Sequence, residues 1–469
     1  MRLVFQALII TCALVFLSAC SSITSGQLFS NYTEQLTPTR NALQSANMQQ
    51  AASLLPTHSA NNVSNTLGQL ENARVSQLSE NYTDSKVAFE NALYQIDKQN
   101  FAANIEISEG LQTTASFLTN DNVRDYRVPY FEQTMVHTLQ SLNYVALNNI
   151  EGALVEVRRA NLVQLQALKK NQDELEKAVA NTSLDLNDLY SRYPTMDDMI
   201  GSVKNGFQNA FTFYLSGFLY EATGEYNAAY IDYKRAIDIY SENTYLQQDI
   251  LRLAKYLGFD DEYNYFKARF NADLPQTKNN QVPVLVLIEQ GLIPEKTEAR
   301  IDLPIFTSRD DIRFYSVALP SYANNHEHAA PLSINIGEQT LQSETIVKLS
   351  ALAAKDLKER MPGIVARQIT RLIAKEQFRK SAARNGGDVG NIIATLYNLA
   401  SERADTRSWL TLANNYQIAK TYLTTGEHTL SINLNGITHP VSFSTDGNKP
   451  VLIKVVNLGS TLNTTVYTI

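Results

Sequence analysis

The chain changes character once, and that change limits its fold more than any other feature. From about Leu28 to Phe270 apolar residues recur at steps of three and four, without the dense β-branched clusters of strands, which is the periodicity of packed helices. The stretch Asn271–Pro283, with two prolines and a polar cluster, then breaks the pattern. Directly after it, Val284-Leu-Val-Leu-Ile288 is a continuous apolar run suited to a strand buried on both faces. Ala299–Ile305 and Ile312–Leu319 are further strand candidates, and helices are expected again between Glu344 and Arg403. Near the end, Thr429–Leu434, Ile437–Ser444 and Val451–Val456 are separated by Asn435-Gly436 and Asp446-Gly447, pairs that favour tight hairpins because both central residues need positive φ. The expected fold is therefore α+β and multidomain: an all-α half of helical hairpins over 66–275 and a mixed α/β half over 281–469, ending in an antiparallel β-meander. At 469 residues the chain exceeds what one small core organises.

The N-terminal 19 residues have the positive start, apolar run and small residues of a secretory signal. Leu3–Leu17 is too short for a durable membrane span, which needs about 20 residues. Leu17-Ser18-Ala19-Cys20 resembles the lipobox of bacterial lipoproteins. That resemblance implies cleavage before Cys20 and lipidation of its sulfur, and Ser21 in the next position implies outer-membrane sorting, with the protein facing the periplasm. Cys12, the other cysteine, lies inside the segment to be removed, so the mature chain has no disulfide pair. Two or three acyl chains hold a protein firmly at a bilayer. Residues 20–65, rich in Gln, Asn, Ser and Ala towards their end, read as a tether and first helix. A net charge of −7 does not suit nucleic acid.

The stretch Tyr214–Ala236 resembles a tetratricopeptide repeat, a helical hairpin of about 34 residues. Gly217 and Ala229 stand at the small positions where the helices cross, Tyr220, Tyr233 and Ala236 at packing positions, and Gly224 at the turn. Ser241 stands where the repeat usually carries proline, which leaves the helix free to run on. A weaker copy fits Tyr144, Asn148, Ala153, Val157 and Ala160, and a faint third surrounds Tyr94, Ala103 and Gly110. A long polar helix, Asn161–Val179, and a loop through Tyr193-Pro194 separate the two better copies. Stacked hairpins offer a concave surface to peptides or partner proteins. Ten of the 24 tyrosines fall between Tyr214 and Tyr265; they read as filling for hairpin interfaces, with an aromatic groove as the alternative.

No phosphate loop, dinucleotide fingerprint, zincin motif or nucleophile elbow is present, and neither a cofactor nor a catalytic residue is expected. Gly386–Gly390 reads as a loop between helices. His326 and His328 are weak metal candidates, since no further histidine or cysteine lies nearby in sequence. Arg367, Arg371 and Lys375 share one face of a helix whose opposite side carries Val365, Ile369, Leu372 and Ile373. Partly buried arginines need carboxylates, and Glu402 and Asp405 are the expected donors; an anion site is the alternative.

The lipobox, the repeat, Val286–Pro294, and Ala404-Asp-Thr-Arg-Ser-Trp409 leading to Gly426-Glu-His-Thr429 occur in this order. Together they resemble an uncharacterised family of bacterial envelope lipoproteins with a tetratricopeptide-like N-terminal half. The expectation is a non-enzymatic, lipid-anchored scaffold or regulator of envelope assembly that binds a protein partner through its helical surface. The alternatives are an envelope glycan- or peptide-acting enzyme using carboxylates of the C-terminal half, or a binder of anionic wall polymer through Arg367 and Arg371.

Overall fold

The computed structural model describes residues 32–109, 121–180, 191–271, 274, 280–308, 311–323, 329–372, 403–447, 449–459 and 461–469. The helical half is a series of hairpins: α1 Tyr32–Gln44 with α2 Met48–Ser53, α3 Asn65–Leu78 with α4 Tyr82–Glu109, α5 Tyr130–Ala146 with α6 Ile150–Ala180, α7 Ala210–Ala222 with α8 Tyr226–Ile239, and α9 Thr244–Tyr256 with α10 Asp260–Phe270. One turn geometry serves all five. Ala46, Glu80, Asn148, Gly224 and Gly258 take φ values of 55, 60, 54, 79 and 74°. The next residue's N–H reaches back five positions, as in Asn47 to Ala42, Asn81 to Ser76, Asn149 to Tyr144, Glu225 to Tyr220 and Phe259 to Ala254, at 2.8–2.9 Å. This is the left-handed helix stop that satisfies otherwise orphaned carbonyls.

Helix starts are set by side chains. Asn209 accepts from the Phe211 and Thr212 N–H groups, and Asn243 from that of Leu246. The Asn243 cap also ends the freedom expected at Ser241: α8 stops at Ile239 and α9 begins at Thr244. The faint copy around Tyr94 and Ala103 is corrected, because α4 is continuous through it and Tyr94 is 67 % exposed. The hairpin turn there is at Glu80 instead. Part of the expected tether is ordered helix, with Leu36, Leu43 and Ala51 buried.

The C-terminal half holds β1 Gln281–Leu292, β2 Lys296–Ser308, β3 Asp311–Tyr322, β4 Ser333–Ile336, β5 Gln339–Gln342, β6 Glu344–Lys348, a helix α11 over 349–372, β7 Ala413–Thr424, β8 Gly426–Leu434, β9 Ile437–Thr445, β10 Val451–Asn457 and β11 Asn463–Thr468. The central sheet has the order β11-β10-β1-β7-β6, with β1 parallel to β10 and antiparallel to β7. A second sheet runs β5-β4-β8-β9, and β2 with β3 forms a separate hairpin. The fold is thus a helical-hairpin N-terminal half joined to a mixed C-terminal half.

The terminal meander requires correction. Asn435-Gly436 does turn β8 into β9, but β10 leaves that sheet to pair with β1. Burial explains the departure. Alternate residues of β9 are exposed, whereas every residue of β10 is buried, as a central strand requires. Glu344–Lys348 is likewise a strand rather than the start of a helix.

The two halves share one core. α7 lies against β6 and α9 against β7, with Phe211 stacked on Tyr416 at 4.6 Å between ring centroids. Buried charge crosses the seam. Arg74 of α3 pairs with Glu289 of β1, whose other oxygen is 3.5 Å from Lys454 of β10. Lys420 of β7 is 2.6 Å from Asp249 of α9. The segment 404–412 fastens the seam further: Glu132 accepts from the Trp409 N–H and Glu71 from those of Leu410 and Thr411.

Candidate docking groove on the helical half

The hairpin α7/α8 depends on one close crossing. A β-carbon on Gly217 would sit 2.6 Å from the ring of Tyr233, so only glycine lets the helices meet there. Ala229, Tyr233 and Ala236 are fully buried beside it, and Gly224 makes the left-handed turn. Tyr220 is buried as well, with its hydroxyl accepting from Arg158 Nε at 2.9 Å. Tyr214, Tyr230 and Tyr245 are also interior, and the Tyr214 hydroxyl donates to Asp249 at 2.8 Å. Tyr214, Tyr230, Tyr233 and Tyr245 fill interfaces rather than line an aromatic groove.

The inner surface expected to receive a partner is already occupied. α5 is buried from Phe131 to Asn143 and α7 from Ala210 to Tyr220. A helix buried on every side is core, not a binding face. The face that an open stack would present through its first helices is covered here by the chain's own C-terminal half.

The outer side is different. α6 and α8 both pack on α7, and between them lies an open groove of about 400 Å³. Arg158, Asn161, Leu162 and Leu165 line it from α6, and Ala228, Ile231, Asp232 and Arg235 from α8. Each set is an i, i+3, i+4, i+7 stripe, one face of a helix over two turns. Tyr220 of α7 contributes to the lining between them. Leu162, Leu165 and Ile231 are 55, 44 and 50 % exposed, a cluster of apolar surface with no covering partner among the described residues.

Under this apolar cluster the groove is braced. Asp232 accepts from Ser216 Oγ at 2.6 Å, Asn161 Nδ2 at 3.0 Å and Arg235 Nη1 at 2.9 Å. Burial pushes the Asp232 carboxyl above its ordinary range, against the pull of these donors. Arg158 lies over the Tyr220 ring at 5.5 Å and 3.6 Å from Glu225. Glu225 precedes the first turn of α8, so α6 and α8 run in the same direction. Arg158 and Arg235 therefore stand at opposite ends of the groove, both about half-exposed. The sequence carried a signal for this site: α6 has apolar residues on a second face, at 155, 162 and 165, beyond its buried stripe.

Of the other candidates, Arg371 is buried and forms an ion pair at 2.8 Å with Asp121, and Arg367 is 4.0 Å from the same carboxylate. Asp405, the expected donor, is held in a fork by Arg407, whose guanidinium also donates to the carbonyls of Asp121 and Arg124. Burial alone would raise the Asp405 carboxyl, but Arg407 holds it below the ordinary range. A separate, distant acid thus serves the arginine helix, a pairing that sequence proximity does not reveal. Cys20, His326, His328, Glu402 and Gly386–Gly390 lie outside the described residues. Among the described residues no cluster of three His, Cys, Asp or Glu side chains could hold a metal ion, and no helix is long and apolar enough to cross a membrane.

No family model matches the chain, and no curated protein matches it. Two solved structures of MamA align with 50 and 54 % of this chain and 92 and 100 % of their own, at 12 and 11 % identity and TM-scores of 0.28 and 0.29. A likeness this slight bears on neither function nor mechanism.

Proposed function

We propose that this protein is a lipid-anchored scaffold of the bacterial cell envelope, tethered through Cys20, that holds a protein partner in the groove between α6 and α8. The observation that carries the docking part is the cluster of Leu162, Leu165 and Ile231, about half-exposed on two helices locked to a shared core. Exposed apolar clusters on a rigid frame mark association surfaces. The interior carboxylates described in the C-terminal half do not favour the enzymatic alternative: Glu289 is paired with Arg74, Asp356 with Arg360 and Asp405 with Arg407. Arg371, engaged by Asp121, is a poor anchor for an anionic polymer.

Anchoring and docking are tested separately in cells that make the full chain. Cys20→Ser is expected to move the protein from the membrane to the soluble fraction. Ile231→Glu is expected to leave it at the membrane while removing the proteins that co-purify with it. Membrane retention of Cys20→Ser would refute the anchor, and an unchanged co-purifying set with Ile231→Glu would refute the groove.

A further inference from the structure

We propose that the free edge of β11 pairs with β11 of a second copy of this chain, antiparallel and across a two-fold axis at Val466, joining the two central sheets. The inference does not depend on the groove between α6 and α8.

The register tells which backbone groups are on offer. The Ile469 N–H donates at 2.9 Å to the carbonyl of Pro450, the pair that continues the β10/β11 register. Bonded pairs alternate along an antiparallel ladder, so Asn463, Thr465 and Tyr467 turn their backbone groups to β10. Thr464, Val466 and Thr468 turn theirs outward, and these have no backbone partner among the described residues. β9 lies close to β11, but no ladder joins them. Tyr467 and Thr465 hold the strand from the helical side through Tyr82 and Glu80.

Unpaired edges recruit strands unless something blocks them, and the other edges of the two larger sheets are blocked. In β9 the Asn435-Gly436 turn makes Leu434 and Ile437 a bonded pair. Counting on by twos, Pro440 falls at an outward position, where its missing N–H costs the β8/β9 ladder nothing. β6, the opposite edge of the central sheet, has its carbonyls at Glu344 and Thr345 met by Asn243 Nδ2. β5 has only four residues. β11 reads Asn-Thr-Thr-Val-Tyr-Thr, without proline, glycine or charge, and is half-buried up to an exposed Thr468.

Its own sequence is the occupant this edge fits. With Val466 opposite Val466 of the second copy, Thr464 meets Thr468 and Thr468 meets Thr464, so every outward group is paired. A shift of two residues leaves an outward residue without a partner, and a shift of one sets outward groups against inward ones. The facing side chains are β-branched or aromatic and uncharged, which favours cross-strand contact. Both copies use the same patch, as closed two-fold symmetry requires. The nearest charge is the exposed carboxylate of Glu80 beside Thr465, and two copies bring two of these to one face.

The test is cysteine crosslinking in cells that make the full chain, read as dimer on non-reducing gels. Across the axis the Val466 Cα lies about 5.5 Å from its copy, a distance that a disulfide spans. Val466→Cys is expected to give about tenfold more dimer than Ile437→Cys at the exposed β8/β9 tip, where only collisions contribute. The unaltered chain is expected to give none. Thr464→Pro removes an N–H that β11 does not use, and is expected to abolish the Val466→Cys dimer while the melting temperature is preserved. Thr468→Pro, at the end of the strand, serves the same purpose if Thr464→Pro fails to fold. Glu80→Gln is expected to increase the dimer.

Equal crosslinking at positions 466 and 437, or a Val466→Cys dimer that survives proline at 464 or 468 in folded protein, would overturn the inference. So would less dimer with Glu80→Gln. A Val466→Cys adduct of another mass would also overturn it, by placing an extended segment of a different protein on the edge.

Discussion

At the residue scale, the side chains that matter most are those with no alternative. Adding one methyl at Gly217 forces the Tyr233 ring out of the crossing, and overpacking of this kind costs about 1–3 kcal/mol. Gly217→Ala is expected to lower stability by that amount in denaturant titrations, and less when combined with Tyr233→Leu. Glu71 is the clearest titrating group. Burial raises its carboxyl to about 7, against the pull of the Thr411 hydroxyl and the two backbone donors of the strap. Because the folded state binds this proton more tightly than the unfolded chain does, the stability it contributes is complete below about 4.5. It is lost as pH rises through about 7, by on the order of 3 kcal/mol. Unfolding free energies measured across that window should fall more steeply for the native protein than for Glu71→Gln. Gly217 and Gly224 were legible in the sequence because both repeat packing and helix stops favour glycine there. Glu71, Arg74 and Asp121 were not, since their partners are hundreds of residues away and no local pattern announces them.

At the scale of elements, five hairpins share one turn, yet only Gly224 and Gly258 place glycine in it. Ala46, Glu80 and Asn148 adopt the same left-handed conformation without that signal, which is why a glycine-based reading finds fewer hairpins than exist. L-residues are strained in this region. Ala46→Gly is expected to stabilise the protein by about 1 kcal/mol, seen as a higher melting temperature, and a loss of stability would contradict the shared-turn account. The strands show the same division. Continuous apolar runs marked β1 and β10, and Asn435-Gly436 marked the β8/β9 hairpin. Which strand pairs with which is set by burial on both faces, and so β10 joins β1 rather than extending a meander. β7 carries Asn414, Asn415, Gln417 and Lys420 between its apolar residues, a polar content that hid a central strand: Lys420 finds Asp249 across the seam, and Gln417 bonds Ser343 and Gln290 within the C-terminal half.

At the scale of the whole molecule, the helical half is not a free-standing array. Its first helices are sealed against the sheet by stacked aromatics, buried ion pairs and the 404–412 strap, so the halves should unfold together. Arg74→Met would strand Glu289 in the interior with Lys454 at 3.5 Å as its remaining cation, at a cost of about 3–5 kcal/mol. A single transition shifted by that amount, reported alike by helical and tyrosine signals, is the expected result; two separated transitions would contradict a common core. This sealing leaves the outer groove as the surface offered to a partner. The most direct measurement of that claim is photo-crosslinking in living cells, with a photoreactive residue replacing Leu162 and, as a control, the exposed Tyr94 of α4. The account predicts a defined adduct from position 162 that disappears with Ile231→Glu, and none from position 94. No adduct from position 162, or one that survives Ile231→Glu, would contradict it.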